Sequence, residues 1–383
     1  MQIMIISGEA SGDYYGASLI KAIKKQSPET SFYGWGGSLM ASEGLEIIFD
    51  PTQLSVVGFT EALKLLNFYR NWLKRLKNIL IARRPDCLVL IDFPGFNIHL
   101  AKIAHSLGIA CVYFIPPSAW AWGRKRAKKV AQTVVKVAAI MPMDLEVYQA
   151  AGANIEMVGH PLLEEIPTEI PREIACQELN LDVNKPVLTL LPGSRNQEIK
   201  THLKLMLEAA KTLKNADPDL QVILALAASI QKETVAKIIT EMDLDLRIIE
   251  QKTHQAIAAS TACLCTCGTV TLEAALLARP MVSVYKLSKL TTILFKLLFK
   301  AKYYALPNII LNERVVVELI HSNFTVDNMV TNLALLLVRP QPDKQIQAKL
   351  RQVRSKLGSK DAYANTAKII VEVASSAGSD NNQ

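Results

Sequence analysis

The chain carries an aspartate at a position that suits proton transfer. Asp92, in the segment IDFPGFN, directly follows the apolar run DCLVLI, which has the composition of a strand buried on both faces. Beside Phe93 and Phe96 this carboxyl would be poorly solvated, so its pKa would rise and it could act as a general base. The alternative from the sequence is that Asp92 caps a helix that begins near Pro94.

A glycine-containing turn, LPGSRNQE, follows another apolar run in the second half of the chain. After Gly193, backbone amides converge with the hydroxyl of Ser194 and the guanidinium of Arg195, which is the set of donors that a diphosphate requires. Ser194 and Glu198 would also fit a helix cap. The sequence leaves both interpretations open.

The segment CGTVTLEAA, later in the second half of the chain, begins a helix after another predicted strand. Gly268 and Thr269 would meet a phosphate at the N-terminus of this helix. Glu273 lies one turn further on, where its carboxylate could accept hydrogen bonds from two ribose hydroxyls. A simple interaction of this glutamate with the helix dipole is the alternative.

Small residues follow the first two strands, in GEASGD and GWGG, and let a backbone approach a ligand closely. A plain strand-to-helix turn is the alternative for GEASGD. The GxGxxG pattern of dinucleotide-binding proteins is absent, so an NAD-dependent oxidoreductase is poorly supported. The histidine of VGHPL also ends a predicted strand and could contact a substrate. The candidate contacts in this half are Gly8, Ser11, Gly12, Asp13, Gly36, Gly37 and His160.

Three closely spaced cysteines, Cys263, Cys265 and Cys267, raise the question of a metal site. They share one face of a strand, but no CxxC pair accompanies them and the nearest histidine is His254. The other histidines show no HExxH spacing. We therefore predict buried free thiols, no metal site and no cofactor.

Composition limits the class of protein. The 383 residues are 50% hydrophobic and carry 43 Lys and Arg against 35 Asp and Glu, a net charge of +8. These values exclude a disordered or collagen-like chain. The positive charge suits nucleic acid, an anionic membrane or a phosphorylated substrate, but no nucleic-acid-binding motif is present. Because neither a signal peptide nor an apolar span is evident, we expect a cytosolic protein.

The elements that must position these residues alternate between strand and helix in both halves. This pattern predicts an α/β fold with two doubly wound parallel sheets. We interpret the polar residues 163–186 as a linker region, which predicts domains at 1–163 and 164–340, with C-terminal helices and a polar tail at 341–383. Because open α/β sheets bind ligands at the carboxyl ends of their strands, we expect a ligand cleft between the halves.

Two apolar segments with basic residues are candidates for membrane contact. In residues 289–301, apolar residues repeat with helical spacing beside a lysine stripe that Phe295 and Phe299 flank. This segment could instead be a core helix with a solvated lysine face. Residues 56–80 mix apolar with basic side chains, and the segment AWGRKRAKK adds further positive charge.

Taken in order, these segments resemble the bacterial lipid-A-disaccharide synthase family. The likeness covers nearly the whole chain and is carried by SGEASGD, GWGG, VVGFTEAL, LIDFPGFN, PPSAWAW, VGHPL, LLPGSR, GTVTLEAAL, PMVSVYK and LPNIIL. It implies an inverting GT-B glycosyltransferase with two Rossmann-like domains, no metal and a peripheral location on the cytoplasmic face of the inner membrane. The implied reaction transfers 2,3-diacylglucosamine from its UDP derivative to the 6-hydroxyl of 2,3-diacylglucosamine 1-phosphate (lipid X), which forms the β-1,6-linked lipid A precursor.

The resemblance also implies roles for individual residues. Asp92 matches the carboxylate taken as the catalytic base, and Arg195 matches an arginine needed for activity at the diphosphate. Glu273 matches the ribose-binding glutamate, and Asn308 in LPN matches a position near the nucleotide. The resemblance leaves a homodimer open. The segment VVGFTEAL matches the proposed acyl-chain surface, with candidate lipid contacts at Val57, Phe59 and Leu63.

The chain departs from common family sequences at two places. Ser118 stands where many members have glutamine, and residues 317–321, ending in His321, replace PELIQ. Two alternatives to the family's reaction stay open. One is another GT-B enzyme, such as a UDP-GlcNAc 2-epimerase or a peptidoglycan glycosyltransferase. The other is a non-catalytic lipid- or nucleotide-binding protein.

Overall fold

The computed structural model describes residues 1–53, 59–287, 299, 301–338 and 341–380, without the side chains of residues 53, 59–66 and 378–380. The chain forms two compact units. Unit 1 comprises Met1–Glu164 and Leu357–Gln383, and unit 2 comprises Glu165–Lys356.

The sheet of unit 1 consists of parallel strands. They are β1 (Gln2–Ile6), β2 (Ser31–Trp35), β3 (Leu45–Phe49), β4 (Cys87–Ile91), β5 (Cys111–Phe114), β6 (Lys136–Ala139) and β7 (Ile155–Met157). Their spatial order is β3-β2-β1-β4-β5-β6-β7, so the order reverses between β1 and β4. Doubly wound sheets bind ligands at this reversal. Strand β4 is buried and apolar along its whole length because helices cover both faces of a parallel sheet.

Helices cover the sheet of unit 1. In chain order they are α1 (Ala10–Gln26), α2 (Ser38–Ser42), α3 (Phe59–Arg83), α4 (Pro94–Ser106), α5 (Ala119–Trp122), α6 (Lys125–Ala131), α7 (Pro142–Gln149) and α8 (Leu162–Glu165), with a 3₁₀ turn at Pro51–Gln53. The C-terminal helix, Ala362–Asp380, also belongs to this unit. Its Ile369 and Ile370 share a buried apolar cluster with Leu19 and Ile20 of α1. The predicted C-terminal segment at 341–383 is therefore divided between the two units at Leu357.

The sheet of unit 2 repeats the same winding. Its strands are β8 (Val187–Leu191), β9 (Gln221–Leu226), β10 (Arg247–Glu250), β11 (Ala262–Thr266), β12 (Met281–Tyr285) and β13 (Val317–Ile320). They are parallel in the order β10-β9-β8-β11-β12-β13, with the reversal between β8 and β11. The prediction of two doubly wound parallel sheets is confirmed.

The helices of unit 2 begin within the predicted linker. They are α9 (Arg172–Glu178), α10 (Asn196–Ala216), α11 (Lys232–Thr240), α12 (Thr253–Ala259), α13 (Thr269–Leu276), α14 (Leu306–Leu311), α15 (Val326–Leu337) and α16 (Lys344–Lys356), with a 3₁₀ turn at His321–Asn323. Arg172 of α9 is buried and donates hydrogen bonds to the carbonyls of Ala259, Val183 and Lys185. Residues 163–186 therefore contribute a packed helix to unit 2.

Most of the predicted lipid-contacting segments cannot be related to this fold. Outside the described part of the chain lie Val57, Phe295, the side chains of Phe59 and Leu63, and positions 288–298 and 300. Phe299 is half-buried and stacks on Tyr304, with ring centroids 5.3 Å apart. Across the described residues, every helix is too short or too polar to span a membrane.

Candidate active site

Asp92 follows β4 directly and adopts a strained backbone conformation. Its φ is 45°, and that of the next residue, Phe93, is 49°. Non-glycine residues rarely adopt such angles, and each costs on the order of 1–3 kcal/mol. The carbonyl of Asp92 accepts hydrogen bonds from the hydroxyl of Tyr113 at 2.7 Å and from the amide of the buried Asn97 at 2.8 Å. Strained segments that are held in this way cluster at functional sites.

The carboxyl of Asp92 has the electrostatic properties of a general base. Its pKa is raised to about 6, chiefly because burial disfavours the carboxylate and also because Glu9 adds a like charge. The N-cap of α4 is Phe93, and no side chain caps that helix. The capping alternative is therefore not supported. With a pKa of about 6, the carboxyl of Asp92 can both accept and release a proton near neutral pH.

Gly8 brings the first glycine loop against the residue that follows Asp92. A Cβ atom at Gly8 would stand 2.1 Å from Cγ of Phe93, far inside van der Waals contact. Strands β1 and β4 are neighbours, so the loops after them meet where the strand order reverses. The GEASGD loop and Asp92 thus form one local structure in unit 1.

Gly8→Ala is expected to lower the free energy of unfolding by about 1–3 kcal/mol, because the phenyl ring of Phe93 must move to admit the new methyl group. Urea denaturation measures this change. Gly95→Ala, in helix α4, is the matched control, since a Cβ at Gly95 would have no neighbour within 4 Å. The control should be neutral or slightly stabilising. Equal stability of the two variants would contradict the contact.

Asp13 shapes the GWGG loop at the end of β2. Its carboxylate, 4% exposed, accepts hydrogen bonds from the backbone amides of Gly37, Leu39 and Met40 at 2.7–3.1 Å. A Cβ at Gly36 would collide with Met40, and one at Gly37 would stand 2.6 Å from the carboxylate. The glycines are thus required by packing around α2, and the Asp13 carboxylate already holds the first turn of that helix.

The remaining predicted contacts in unit 1 differ in accessibility. Ser11 is exposed on α1, whereas Gly12 packs against Ser7. His160 is 3% exposed, and its Nδ1 accepts a hydrogen bond from the amide of Leu162 at 3.1 Å. Burial lowers the pKa of His160 to about 4, so its imidazole is neutral near pH 7.

A cavity of about 520 Å³ opens in unit 2 at the carboxyl ends of β8 and β11. It lies where the strand order reverses, and its volume is typical of small-molecule sites. Its walls are formed by Leu191, Gly193, Ser194, Arg195, Glu198, Ala225, Ala227, Ala228, Thr253, Thr266, Cys267, Gly268, Thr269, Val270, Glu273 and Tyr285. We call it the donor pocket, because the resemblance implies that residues of its lining bind the UDP donor. It gathers the residues that the sequence predicts from LPGSR and CGTVTLEAA.

Glu198 organises the LPGSR turn. Its carboxylate accepts hydrogen bonds from the amides of Ser194 and Arg195 at 2.9 and 3.3 Å. At Gly193, where φ is 116°, a Cβ would stand 2.3 Å from this carboxylate. The cap predicted as an alternative is therefore present at Glu198. The Arg195 side chain is 70% exposed, so its guanidinium can turn from Glu198, 3.3 Å away, toward an anion in the pocket.

On the opposite wall, Gly268 is the N-cap of α13 and Thr269 is its first residue. The amide of Thr271 donates to the carbonyl of Gly268 at 3.1 Å. The amides of Thr269 and Val270 precede it at the start of the helix, where backbone amides suit a phosphate. Glu273 is half-buried, and its Oε2 lies 3.2 Å from Nε2 of His254. In the sequence, His254 stands out only as the histidine nearest to the three cysteines. Its place at the start of α12, after β10, was the signal that could have identified it.

Asn308 does not line the donor pocket, in contrast to the role that the resemblance implies. It is fully buried, and its amide nitrogen donates hydrogen bonds to the carbonyl of Val316 and to Glu318. Its amide oxygen accepts hydrogen bonds from the backbone of Val315 and Val316 at 2.8 Å. These bonds use the side chain to hold the loop between α14 and β13.

The three clustered cysteines are free thiols. Cys263 and Cys265 are completely buried, and Cys267 is half-buried at the wall of the donor pocket. The Sγ of Cys267 lies 2.9 Å from the hydroxyl of Ser283, and burial raises the pKa of this thiol to about 12. Among the described residues, no group of His, Cys, Asp and Glu side chains is arranged to hold a metal ion.

Comparison with known proteins gives a consistent result. The profile of the lipid-A-disaccharide synthetase family matches residues 3–373. A lipid-A-disaccharide synthase of Trichlorobacter lovleyi is 35% identical over 372 residues, which cover 97% of each chain. The structure of UDP-GlcNAc 2-epimerase from Neisseria meningitidis bound to UDP-GlcNAc has a TM-score of 0.63 at 13% identity, covering 97% of this chain and 99% of that one. The structure of the calicheamicin glycosyltransferase CalG4 has a TM-score of 0.61 at 14% identity, covering 97% of this chain and 98% of that one. The two structures show that the fold is that of GT-B glycosyltransferases and related epimerases.

Proposed function

The chain belongs to the lipid-A-disaccharide synthetase family, and we propose how its two units carry out the family's reaction. It is a glycosyltransferase that forms the lipid A disaccharide. In the proposed reaction, 2,3-diacylglucosamine passes from UDP to the 6-hydroxyl of lipid X. The observation that carries the mechanism is the half-buried carboxyl of Asp92, held in a strained loop with a pKa of about 6.

The donor pocket of unit 2 is proposed to hold the UDP group. Arg195 offers its guanidinium to the diphosphate, and the amides at the start of α13 offer the positive end of the helix dipole. Glu273 accepts hydrogen bonds from the ribose hydroxyls, while His254 fixes the orientation of its carboxylate from 3.2 Å. The same groups stabilise the negative charge that develops on UDP as it leaves.

Asp92 is proposed to remove the proton from the 6-hydroxyl of lipid X. The acceptor oxygen then forms a bond to the anomeric carbon of the donor. The bond from that carbon to the diphosphate oxygen breaks, and its electron pair leaves with UDP. A single displacement of this kind inverts the anomeric carbon.

The proposed role of Asp92 predicts the acid limb of the pH profile. The base must be ionised, so kcat/KM should be constant well above pH 6 and fall about tenfold per pH unit below it. Initial rates between pH 4.5 and 8.5, with circular dichroism to show that the protein stays folded, provide the measurement. A kcat/KM that stays flat or rises from pH 6 to pH 5 would contradict an ionised Asp92.

Unit 1 also presents a surface suited to an anionic membrane. Around α6, four basic side chains are exposed next to Trp122, which is 39% exposed. Tryptophan favours the interface between lipid and water, and each basic residue near an anionic surface contributes about 1 kcal/mol. This α6 surface supports peripheral membrane association at the cytoplasmic face. Its basic residues are Arg124, Lys125, Lys128 and Lys129.

Sedimentation with phosphatidylglycerol vesicles tests the α6 surface. Replacing Lys125, Lys128 and Lys129 by glutamine should weaken binding at least tenfold, and neutral phosphatidylcholine vesicles should bind little of either protein. The matched control replaces three exposed lysines on α1 and α4 and should keep its binding. Equal loss in both triple variants would argue against a specific surface. The control lysines are Lys21, Lys25 and Lys102.

The function itself is tested by product analysis. Purified protein in detergent, supplied with UDP-2,3-diacylglucosamine and lipid X, should release one UDP for each disaccharide 1-phosphate detected by mass spectrometry. A parallel reaction with UDP-GlcNAc alone tests the epimerase alternative. Conversion of UDP-GlcNAc to its 2-epimer without disaccharide formation would contradict the proposal.

A further inference from the structure

A second cavity of about 520 Å³ in unit 2 lies at the other end of α13 from the donor pocket. Thr269 at the start of this helix faces the donor pocket, whereas Leu276 at its end lines the second cavity. The segment before α9 and one side of α16 complete the walls. Four arginines contribute to this lining, and we call it the arginine cavity. They are Arg172, Arg279, Arg351 and Arg354.

Two of the four arginines have clear structural roles. Arg172 donates three hydrogen bonds to backbone carbonyls, as described above. One nitrogen of Arg354, Nη2, donates to the carbonyls of Ile166, Pro167 and Leu276, at distances of 3.0–3.5 Å. The last of these carbonyls ends α13, where a positive charge is favourable. These bonds leave Nη1 of Arg354 buried without an acceptor.

The only carboxylate that acts on Arg279 electrostatically, among the described residues, is that of the exposed Glu169. It is 7% exposed, and within the described part of the chain no acceptor receives a hydrogen bond from its guanidinium and no carboxylate forms an ion pair with it. Its Nε is buried without a partner. A buried charge without an ion-pair or hydrogen-bond partner is unfavourable. Burial, together with the nearby Arg172, lowers the pKa of Arg279.

The charge of the arginine cavity is positive overall. Glu169 and Glu173 are the acidic residues of its lining, so four arginines minus two glutamates leave a formal charge of +2. Both glutamates are exposed to solvent. A dianion would therefore neutralise the lining. The dipole of α13 would oppose an anion at this end, but Arg354 already covers the terminal carbonyl.

We propose that the arginine cavity binds a phosphate group, with Arg279 and Arg351 as its principal ligands. A phosphate dianion matches the formal charge of the lining, and its oxygens match the paired donors of a guanidinium. The volume of about 520 Å³ exceeds that of inorganic phosphate and leaves room for an organic part against the apolar side chains of Ile170 and Leu277. The ligand class is thus phosphate or a small phosphomonoester. This site is separate from the donor pocket.

Thermal unfolding in the presence of inorganic phosphate or glycerol 3-phosphate tests the proposal. The parent protein carries Arg195→Ala to weaken phosphate binding in the donor pocket, and ionic strength is held constant. At a ligand concentration of about 100 times Kd, we expect Tm to rise by on the order of 5 °C. Arg279→Gln and Arg351→Gln, each added to the parent, should remove most of this rise. A larger rise with glycerol 3-phosphate identifies an ester as the ligand, and equal rises identify phosphate itself.

Arg314→Gln, at an exposed arginine of unit 2 outside the cavity, is the matched control and should keep the full rise. Without phosphate, Arg279→Gln should unfold at the same or a higher temperature than the parent, because it removes an unpaired buried charge. The proposal is overturned by no saturable rise with either ligand, by a rise that survives both cavity substitutions, or by a ligand-free Arg279→Gln that unfolds well below the parent.

Discussion

Asp92→Asn is expected to lower kcat by about 10²–10⁴-fold, because an amide cannot accept the proton of the acceptor hydroxyl. The fold should persist. Tyr113 and Asn97 bind the backbone carbonyl of Asp92, so the substitution leaves the bonds that hold the strained loop intact. Because the substitution also removes a half-buried ionisable group whose charge is disfavoured there, the free energy of unfolding should stay equal or increase slightly.

Single-turnover rates with both acylated sugars measure the loss in Asp92→Asn, and calorimetric titration with UDP shows whether the donor pocket is intact. The control is Glu9→Gln, which removes the like charge that raises the pKa of Asp92. It should remain active, with the acid limb of its pH profile displaced to lower pH. Near-normal turnover by Asp92→Asn would remove this residue from the mechanism.

Arg195→Ala is expected to lower kcat by about 10²–10³-fold and to weaken UDP binding as well, because the guanidinium stabilises charge on the departing diphosphate. Its side chain is 70% exposed, so little packing is lost. The capping bonds from the backbone to Glu198 do not need the arginine side chain. The stability of unit 2 should therefore change by less than about 0.5 kcal/mol.

Steady-state kinetics and UDP titration of Arg195→Ala separate the two effects. Arg195→Lys, which keeps the charge but loses the planar fork, should recover part of kcat. Arg314→Ala, at another exposed arginine of unit 2, should have normal kinetics. If Arg195→Ala and Arg314→Ala behaved alike, the diphosphate role of Arg195 would be wrong.

The sequence predicts the architecture well because buried parallel strands are recognisable from local composition. Apolar runs such as CLVLI identify the strands, and the alternation with helices implies the doubly wound sheets. The polar residues at the carboxyl ends of the strands must then meet near the point where the order reverses. For this reason Gly193, Arg195 and Glu273 could be placed at one pocket without a structure.

Features that depend on tertiary packing could not be predicted in this way. The local sequence of the C-terminal helix gives no sign that its Ile369 packs in one cluster with Leu19 of α1, far earlier in the chain. The segment at 163–186 resembles a linker because its composition is polar. The sequence does not show that Arg172 is buried and donates a hydrogen bond to the distant carbonyl of Ala259. Asn308 follows a proline in a motif shared with the family, but which way an asparagine faces is decided by backbone partners, here Val315 and Val316.

The alternatives for Asp92 and Glu198 show the same limit. Both residues stand at the boundary between a strand and a helix, where an acidic side chain can act as a cap or as a chemical group. The structure assigns the cap to Glu198 and finds none from Asp92. His254 was missed because its pairing with Glu273 joins separate helices, α12 and α13. The homodimer and the lipid contacts at Val57 and Phe295 stay predictions.

In the proposed mechanism the disaccharide forms by one direct displacement. Proton NMR of the purified product, made from the α-linked UDP donor and lipid X, measures the anomeric configuration of the new linkage. A direct displacement gives a β-linkage at the 6-oxygen, in a yield that matches the UDP released. A product that retains the α-configuration would require a second displacement or a different ionic route, and it would contradict the mechanism.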